Sequence, residues 1–325
     1  MIVRPRWFAW LTLSLLACVQ SGCAPSRGAE ADVLTIGAYS VVREALHEGI
    51  LPAFAARWRE KTGREIRFEE SYNASGSQAR AIAAGFDADV AILSLDGDLD
   101  LLTKAGLTLS CRRVISHGLV VIGVRAGNPK QIRNWGDLAG PGVAVVYADP
   151  KTSGGARWII NAIYGAGLRQ GGREAARSLL AATQANVVTM DASARQSLAT
   201  FERGTGDAIV TYENDLILAA KAKGLQPSYV VPSATLRIEG PAALIEESTR
   251  RHGNRAVAEA FLEFLADPEG QAVLARYGFR PLDETLPEGA FTMRDLGGWK
   301  AIKAELYDAG GVWDSLFTSR KEAPR

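Results

Sequence analysis

The sequence predicts an α/β protein with two lobes, each a mostly parallel sheet flanked by helices. Three observations support this fold class. Predicted strands and helices alternate along the chain, which favours parallel sheets covered by helices. Short turns rich in Ser and Gly follow several of the strands. The chain has 325 residues, 47% of them hydrophobic, which is enough to build two cores.

Composition argues against several classes of function. The formal net charge is +1, so nothing indicates a nucleic-acid partner. The chain has three Cys and three His, without Cys-x-x-Cys or His-x-x-x-His spacing. A catalytic zinc site needs such ligands at such spacing. The sequence therefore predicts neither a metal nor another cofactor.

The N-terminus is predicted to be a targeting segment, residues 1–17. It starts with Arg4 and Arg6 and continues with an apolar run shorter than the roughly 20 residues of a membrane span. A leucine three places before Cys18 and an alanine directly before it resemble a bacterial lipobox. Cys18 is the expected lipidation site and Cys23 the alternative; an ordinary cleaved signal peptide is also open.

Residues 18–32 are interpreted as a flexible tether, because Pro, Ser, Arg and Gly follow one another there. The mature protein is therefore expected in the periplasm or at the cell surface, held at the membrane by a lipid anchor. Past the tether Cys111 is the one remaining cysteine, so no internal disulfide is expected.

The first lobe is predicted to begin with residues 33–116. Its predicted elements are strands at 33–39, 66–71 and 88–93, a helix at about 42–61, a helix that starts within 73–78 and ends at 85, and a helix ending near 106. Apolar residues at helical spacing support the long helix, and Gly63 follows it in the usual C-terminal position.

A second lobe is predicted for residues 117–231, and residues 232–325 are expected to return to the first lobe and add C-terminal helices. The strand at 118–125 is interpreted as the crossing between lobes. The remaining predicted elements are strands at 143–147, 187–190 and 207–214, helices at 174–182, 197–203 and 255–266, and a return through 229–232.

Several small-residue turns lie where a predicted strand leads into a helix. Ser40, Ser75 and Ser153 occupy such positions, and residues 191–196 form a fourth turn of this kind. Ligands of parallel sheets bind at the carboxyl ends of strands, where these turns meet. The repetition indicates a binding site.

The turn at residues 151–158 has the sequence features of an anion-binding turn. Its sequence Lys-Thr-Ser-Gly-Gly-Ala-Arg-Trp places two hydroxyls and two glycines at a helix start. The first N–H groups of a helix have no internal acceptors and lie at the positive end of its dipole. Such a turn can bind an anion, although taken alone it could equally be an ordinary helix cap.

The following motifs together resemble the sulfate/thiosulfate-binding proteins of bacterial ABC importers: Ser-Gly-Gly-Ala-Arg-Trp (153–158), Ser-Gly-Ser-Gln (75–78), Gly-Asn-Pro-Lys (127–130), Ala-Asp-Val (88–90), Asp-x-x-Ala-Arg (191–195), Tyr-Glu-Asn (212–214) and Asp-Pro-Glu-Gly-Gln (267–271). The resemblance covers essentially the whole chain from Val33 to beyond Trp313. It implies the type II periplasmic-binding-protein-like fold, in which crossing strands act as a hinge and the two lobes close over one dianion.

The resemblance also implies a set of ligand-binding residues. Ser153 would donate its hydroxyl, and backbone N–H groups would bind the anion from the other turns. The implied set is Ser40, Ser75, Ser153, Gly154, Gly155, Ala194 and Tyr212. Ser40 replaces a common aspartate whose backbone is used, and Tyr212 replaces a common tryptophan with another hydrogen-bond donor.

Asp149 is a third departure, because relatives commonly have asparagine there. A carboxylate facing a sulfate would weaken binding, whereas it could accept a proton from phosphate. Sulfate or thiosulfate is therefore the expected ligand. Another oxyanion (phosphate, molybdate or tungstate) or a small organic acid stays open.

Other conspicuous residues are given structural interpretations. Arg157 and Arg195 are expected to brace the loops or to pair with Asp191 or Glu213, without contacting the ligand. Two tryptophans, Trp135 and Trp158, are interpreted as packing residues. The three histidines, at 47, 117 and 252, are interpreted as surface or core residues.

The expected function is a monomeric binding protein that delivers its anion to ABC permease subunits. An oxyanion-sensing lipoprotein is an alternative with the same closing cleft. An enzyme with Ser153 as nucleophile is not expected, since no Gly-x-Ser-x-Gly motif is present and no histidine adjoins Ser153.

Overall fold

A nine-stranded sheet runs through the part of the chain that the computed structural model describes, residues 31–321. The signal segment and the lipidation sites Cys18 and Cys23 lie outside the described residues. The strands are β1 (Asp32–Tyr39), β2 (Ile66–Asn73), β3 (Val90–Ile92), β4 (Leu109–Val124), β5 (Val145–Ala148), β6 (Val187–Asp191), β7 (Ala208–Tyr212), β8 (Tyr229–Val230) and β9 (Arg237–Ile245). Their order is β2-β1-β3-β9-β4-β7-β5-β6, with β8 beside β4.

The helices flank this sheet. They are α1 (Leu51–Thr62), α2 (Ser75–Ala83), α3 (Asp96–Lys104), α4 (Gly154–Ala185), α5 (Ala194–Glu202), α6 (Glu213–Ala222), α7 (Glu246–His252), α8 (Arg255–Ala266), α9 (Pro268–Arg276), α10 (Gly298–Leu306) and α11 (Val312–Lys321). None of the helices within residues 31–321 combines the length and apolarity of a membrane span.

The sheet has two halves that share the long strand β4. Up to Leu119 β4 pairs with β9, and from Val120 onward it pairs with β7. We call β2, β1, β3 and β9 half-sheet A, and β7, β5, β6 and β8 half-sheet B. β1–β2, β1–β3, β5–β6 and β5–β7 are parallel, whereas the pairings of β4 and β9 are antiparallel.

Most predicted elements are present, but two strands differ from the prediction. β9 was missed, because Gly240 and Pro241 in its middle usually interrupt strands. The register between β4 and β9 is irregular at these two residues, which accommodates the proline. β4 starts at Leu109, nine residues before the predicted start at Gly118, since its polar first part hides the strand pattern.

The segment predicted as one helix at 42–61 is a series of three helix types. A 3-10 turn covers Ser40–Val42, a π-helical segment covers Ala45–Ile50, and α1 follows. α4 is interrupted at Gly171 and Gly172, so its last part corresponds to the helix predicted at 174–182.

The residues from Ala31 onward form one compact unit, so the division into lobes at 116 and 231 stays a prediction. Half-sheet A is covered by an aromatic cluster in which Phe54 packs 5.2 Å from Phe261 and 5.6 Å from Phe264 between ring centroids. On half-sheet B, the first part of α4 is buried almost throughout, as expected for a helix that is apolar on all sides.

Candidate anion-binding site

The predicted site residues lie at the carboxyl ends of strands, at the starts of helices. Ser75 is the first residue of α2, Ser153 is the N-cap of α4, and Ala194 is the first residue of α5. Ser40 follows β1 and Tyr212 ends β7. The first N–H groups of these helices have no intrahelical acceptors, so they are available to a guest.

Gly154 and Gly155 lie where no side chain fits. A Cβ on Gly154 would come within 2.7 Å of Asp98 Oδ2 and 2.9 Å of Ser94 Oγ. A Cβ on Gly155 would come within 2.7 Å of Tyr212 Cε2 and 3.3 Å of Ser153 Oγ. The backbone at the start of α4, on half-sheet B, therefore lies directly against residues of half-sheet A, with no side chain between them.

Ser75 and Asp98 form the side of the site that belongs to half-sheet A. The Ser75 hydroxyl donates to Asp98 Oδ2 at 2.5 Å and accepts from the Ser94 N–H at 2.8 Å. Asp98 is fully buried. Burial raises the pKa of Asp98, whereas the charge of Arg157 and the hydrogen bond from Ser75 act in the opposite direction.

Ser94 lies among the predicted site residues, although the sequence patterns did not point to it. Its Oγ lies 2.7 Å from the hydroxyl of Tyr212, and both side chains are buried. Burial raises the pKa of Tyr212 well above 10, so its hydroxyl keeps its proton. If Ser94 donates to Tyr212, the tyrosine proton is free for a guest. Its position in the sequence could have indicated it, because Ser94 follows β3 by two residues, just as the other turn serines follow their strands.

Ser40 and Ala194 form a second group next to this cluster. Arg195 Nη2 lies 3.4 Å from the carbonyl oxygen of Ser40, so the start of α5 adjoins the turn after β1. The ring of Tyr39, the residue before Ser40, lies 6.3 Å from the ring of Tyr212. The carboxyl ends of β1, β2 and β3 thus face those of β5, β6 and β7 where the two half-sheets meet on β4, and the seven predicted residues lie at these ends.

Arg157 and Arg195 brace the loops as expected, but their predicted carboxylate partners were wrong. Arg157 pairs with Asp98 at 3.0 Å and donates to the carbonyl of Pro150. Arg195 pairs with Glu44 at 2.5 Å. Both pairs join half-sheet B to half-sheet A, contacts between chain segments 59 and 151 residues apart that no local pattern reveals.

The predicted partners are engaged elsewhere. Glu213 pairs with Arg280 at 2.7 Å, and Asp191 accepts a hydrogen bond from Thr200 at 3.1 Å.

Asp149 is engaged with its own loop. Its Oδ1 accepts the N–H of Lys151 at 2.8 Å, and its carbonyl oxygen accepts the N–H of Ser153 at 2.9 Å. One carboxylate oxygen thus shapes the turn that leads into α4. This contact favours a structural role, and the part that Asp149 plays toward a ligand stays a prediction.

Trp135 and Trp158 are buried packing residues, as interpreted from the sequence. The indole of Trp158 donates to the carbonyl of Ser94 at 2.8 Å, and that of Trp135 donates to the carbonyl of Ala234 at 2.6 Å. Trp158 thereby holds the segment that carries Ser94 against α4.

The residues around Ser153 suit the binding of an anion, and within residues 31–321 they do not include the base that a serine nucleophile needs. Ser153 Oγ accepts the N–H of Ala156 at 3.4 Å, which is a helix-capping contact. Within residues 31–321 no histidine is hydrogen-bonded to Ser153, and no group of three or more His, Cys, Asp or Glu is placed to hold a metal ion. Hydroxyls and helix N-termini dominate the site, and these favour an oxyanion.

The chain belongs to the bacterial extracellular solute-binding proteins, a family whose profile matches residues 34–280. It is 39% identical to a sulfate-binding protein of Synechococcus elongatus, over 94% of this chain and 92% of that protein. It is 31% identical to a thiosulfate-binding protein of Pseudomonas aeruginosa, over 86% of this chain and 90% of that protein.

Solved structures agree with this assignment. The sulfate-binding protein SubI from Mycobacterium tuberculosis H37Rv superposes with a TM-score of 0.77 at 32% identity, covering 85% of this chain and 100% of that chain. The fold class and the family resemblance predicted from the sequence are therefore confirmed. These relatives are named as binding proteins, which separates the family from enzymes.

Proposed function

We propose that the protein is the extracytoplasmic solute-binding component of an ABC importer, and that it captures sulfate between half-sheets A and B. The observation that supports this most directly is the meeting of uncharged donors from both half-sheets. The helix start at Ser75 of half-sheet A faces the helix starts at Gly154 and Ala194 and the Tyr212 hydroxyl of half-sheet B. The two arginines beside them are already paired, Arg157 with Asp98 and Arg195 with Glu44.

Sulfate fits such a site because it carries two charges and no proton near neutral pH. Each charge-assisted hydrogen bond contributes roughly 1.5–3 kcal/mol. Six or seven of them, less the costs of desolvation and closing, leave about −8 kcal/mol, or micromolar affinity. In this proposal Ser40, Ser75, Gly154, Gly155 and Ala194 act through backbone N–H groups, and Ser153 and Tyr212 through hydroxyls.

Thiosulfate is the second candidate, supported by the thiosulfate-binding relative. It has the same charge and shape with one larger atom, so the same donors would bind it. Phosphate, molybdate and tungstate are further alternatives. Phosphate requires an acceptor in the site, a role for which Asp149 has one carboxylate oxygen besides the one that binds the Lys151 N–H.

The proposed function also includes where the protein is held and to what it passes its anion. The protein would act as a monomer, tethered to the membrane through a lipid on Cys18, with Cys23 as alternative, and would pass the anion to permease subunits. An oxyanion-sensing lipoprotein would use the same site. Growth on limiting sulfate after deletion of the chromosomal copy would separate transport from sensing.

The test is calorimetric titration of the purified protein with sulfate, thiosulfate, phosphate and molybdate at pH 7 and pH 8.5. Asp215 is a buried carboxyl three residues after Tyr212, and burial raises its pKa to about 6. Both pH values lie above this pKa, so Asp215 is mainly ionised in both titrations. Sulfate is expected to bind with micromolar affinity that hardly changes with pH. Phosphate binding that follows its own titration, with no response to sulfate, would overturn the ligand assignment.

A variant locates the binding. Tyr212→Phe removes the hydroxyl that contacts Ser94 and should weaken sulfate binding by about 10- to 100-fold, the worth of one hydrogen bond to a charged ligand. Tyr229→Phe is the matched control, because the Tyr229 hydroxyl bonds to Glu213, outside the site. Equal affinities of the two variants would move the ligand away from Tyr212.

A further inference from the structure

A second cavity of about 380 Å³ lies beside the proposed sulfate site. Its walls come from α3, from the loop that precedes α4, and from α10 and α11. The ion pair between Arg157 and Asp98 stands between the two, with Arg157 lining the cavity and Asp98 contacting Ser75 of the proposed sulfate site.

One side of this cavity is aromatic. Trp299, Tyr307 and Trp313 line it, together with Leu101. The rings of Trp299 and Tyr307 pack with centroids 5.9 Å apart, and the Tyr307 hydroxyl donates to the carbonyl of Arg157 at 3.2 Å. Such rings offer a flat apolar surface held in a fixed position.

The remaining side is basic. Lys104, Lys151, Arg157 and Lys303 line the cavity, against one carboxylate, Asp314. Arg157 is paired with Asp98, and Lys303 with Asp308.

Lys104 and Lys151 differ from these two cations. In the described part of the chain, neither has a carboxylate within ion-pair distance. Two exposed lysines that form no ion pair within residues 31–321 therefore border an aromatic cavity.

We propose that this cavity binds a small organic anion with a flat apolar body, such as an aryl sulfate or aryl sulfonate. The volume falls in the usual range for small-molecule sites, roughly 300–1,000 Å³, and exceeds what an inorganic oxyanion fills. The anionic group would lie against Lys104 and Lys151, and the ring against Trp299. Each part of the ligand thus has a complementary wall.

The cavity spans both half-sheets. Lys104 belongs to the helix after β3 of half-sheet A, and Lys151 belongs to the loop after β5 of half-sheet B. A ligand that contacts both holds the two half-sheets in the arrangement in which the sulfate site is complete. Binding at the two sites is therefore expected to be mutually favourable, by the same factor in each direction.

The experiment is calorimetric titration with 2-naphthalenesulfonate, with and without saturating sulfate. We expect one probe bound per protein in both conditions, and tighter binding when sulfate is present. Methanesulfonate, which has the charge without the ring, and naphthalene-2-methanol, which has the ring without the charge, should each bind far more weakly. Loss of probe binding on adding sulfate would show that the probe occupies the sulfate site, and would overturn the proposal, as would no binding at all.

Two variants place the probe in the cavity. Lys104→Gln with Lys151→Gln should weaken probe binding at least about tenfold, since both charges contact the anion. Lys61→Gln with Lys221→Gln removes the same charge from residues that do not line the cavity and should have no effect. Equal losses in the two double variants would reduce the effect to net charge and refute the site.

Gly155→Ala separates the two proposals. It is expected to disrupt the sulfate site through Tyr212 while leaving the aromatic cavity intact. Probe affinity that is unchanged in this variant, while sulfate binds more weakly, shows an independent site. Loss of both ligands in a folded Gly155→Ala protein would place the probe in the sulfate site and contradict the proposal.

Discussion

Gly155 is the residue whose missing side chain shapes the proposed binding site most directly. The start of α4 lies so close to Tyr212 that any Cβ at this position would overlap the phenol ring. Close approach of backbone to a guest is the usual reason for glycine at such turns. In the proposed site, the Gly155 N–H and the Tyr212 hydroxyl would both reach one anion only if residue 155 has no side chain.

Gly155→Ala is therefore expected to weaken anion binding. Its Cβ would lie 2.7 Å from Tyr212 Cε2 and 3.0 Å from the Tyr212 hydroxyl, so the ring must shift and the hydroxyl is displaced relative to Ser94. Loss of one charged hydrogen bond predicts at least about a tenfold higher Kd for sulfate, measured by calorimetry.

Gly136→Ala is the matched control for this change. Gly136 is exposed, and no atom lies within 4 Å of a Cβ built on it, so affinity should stay unchanged. Unaltered sulfate binding by Gly155→Ala would contradict the steric account of the α4 start.

Sequence patterns predicted the turn serines and the glycine pair, because strand-to-helix turns are local. They did not reveal Asp98 or the contact between Ser94 and Tyr212, whose residues are 118 positions apart. Arg157 and Arg195 were interpreted correctly as braces but given the wrong partners. The partner of Arg157 depends on how α4 faces α3, and that of Arg195 on how α5 faces the segment after β1.

Helices α4 and α5 are joined to the opposite half-sheet through ion pairs at their first turns. Arg195 of α5 pairs with Glu44, which lies between the turn after β1 and α1. About a third of each side chain is exposed, 35% and 31%. A pair with this exposure contributes up to about 1 kcal/mol, because water screens part of the attraction.

Glu44→Gln should consequently weaken sulfate binding by up to about fivefold. Because the pair connects the two half-sheets and does not involve the proposed donors, the effect should appear mainly as faster release in stopped-flow tryptophan fluorescence. Glu69→Gln removes an exposed pair with Arg67 within one strand and should leave the release rate unchanged. A slower association rate with unaltered release would contradict the bracing role.

The Asp-Pro-Glu-Gly-Gln motif has a local structural cause in the start of α9. Asp267 is the N-cap, its side chain accepts the N–H of Gly270 at 2.9 Å, and Pro268 is the first helical residue. The same carboxylate pairs with Arg57 of α1. This combination stabilises the helix start and its docking on α1.

Asp267→Ala should lower the free energy of unfolding by about 1–2 kcal/mol, measured by urea denaturation. Asp267→Asn keeps a capping acceptor and loses only the charge, so its loss should be smaller. Sulfate affinity should not change in either variant, since the Asp267 side chain bonds to Gly270 and Arg57, which are not proposed donors. Equal destabilisation by the two substitutions would mean that the ion pair, not the cap, carries the effect.

Elements with a clear local pattern were predicted closely, and α8 was predicted with its observed bounds, Arg255–Ala266. β9 was missed because its glycine and proline are held by pairing with β4, and the residues that follow them, 242–244, also pair with β3, which overrides their intrinsic preference. The first part of β4 was missed for a similar reason. Strands with polar residues, or with glycine and proline in them, can be recognised only from the strands that pair with them.

Residues distant in the chain meet at Asp89, which ties the C-terminal part of the chain to half-sheet A. This buried carboxylate accepts the N–H of Thr35 and the side-chain amide of Asn254, both at 2.8 Å, and lies 2.7 Å from His252 Nδ1. His252 Nε2 lies 3.1 Å from Asp87. Burial alone lowers the pKa of His252, but the bonds and charges of Asp89 and Asp87 outweigh it, so the pKa is raised above 6.5.

This cluster predicts how the stability of the whole fold depends on pH. Because the folded pKa of His252 exceeds its unfolded value, its contribution is complete below pH 6.5 and is lost as pH rises through the folded pKa. His252→Gln should therefore lower the free energy of unfolding by up to about 1 kcal/mol at pH 6 and by less at pH 9. His47→Gln is the control, because His47 is 64% exposed beside Glu70. Urea unfolding measures both variants, and a deficit of His252→Gln that grows toward pH 9 would contradict the proposed sign.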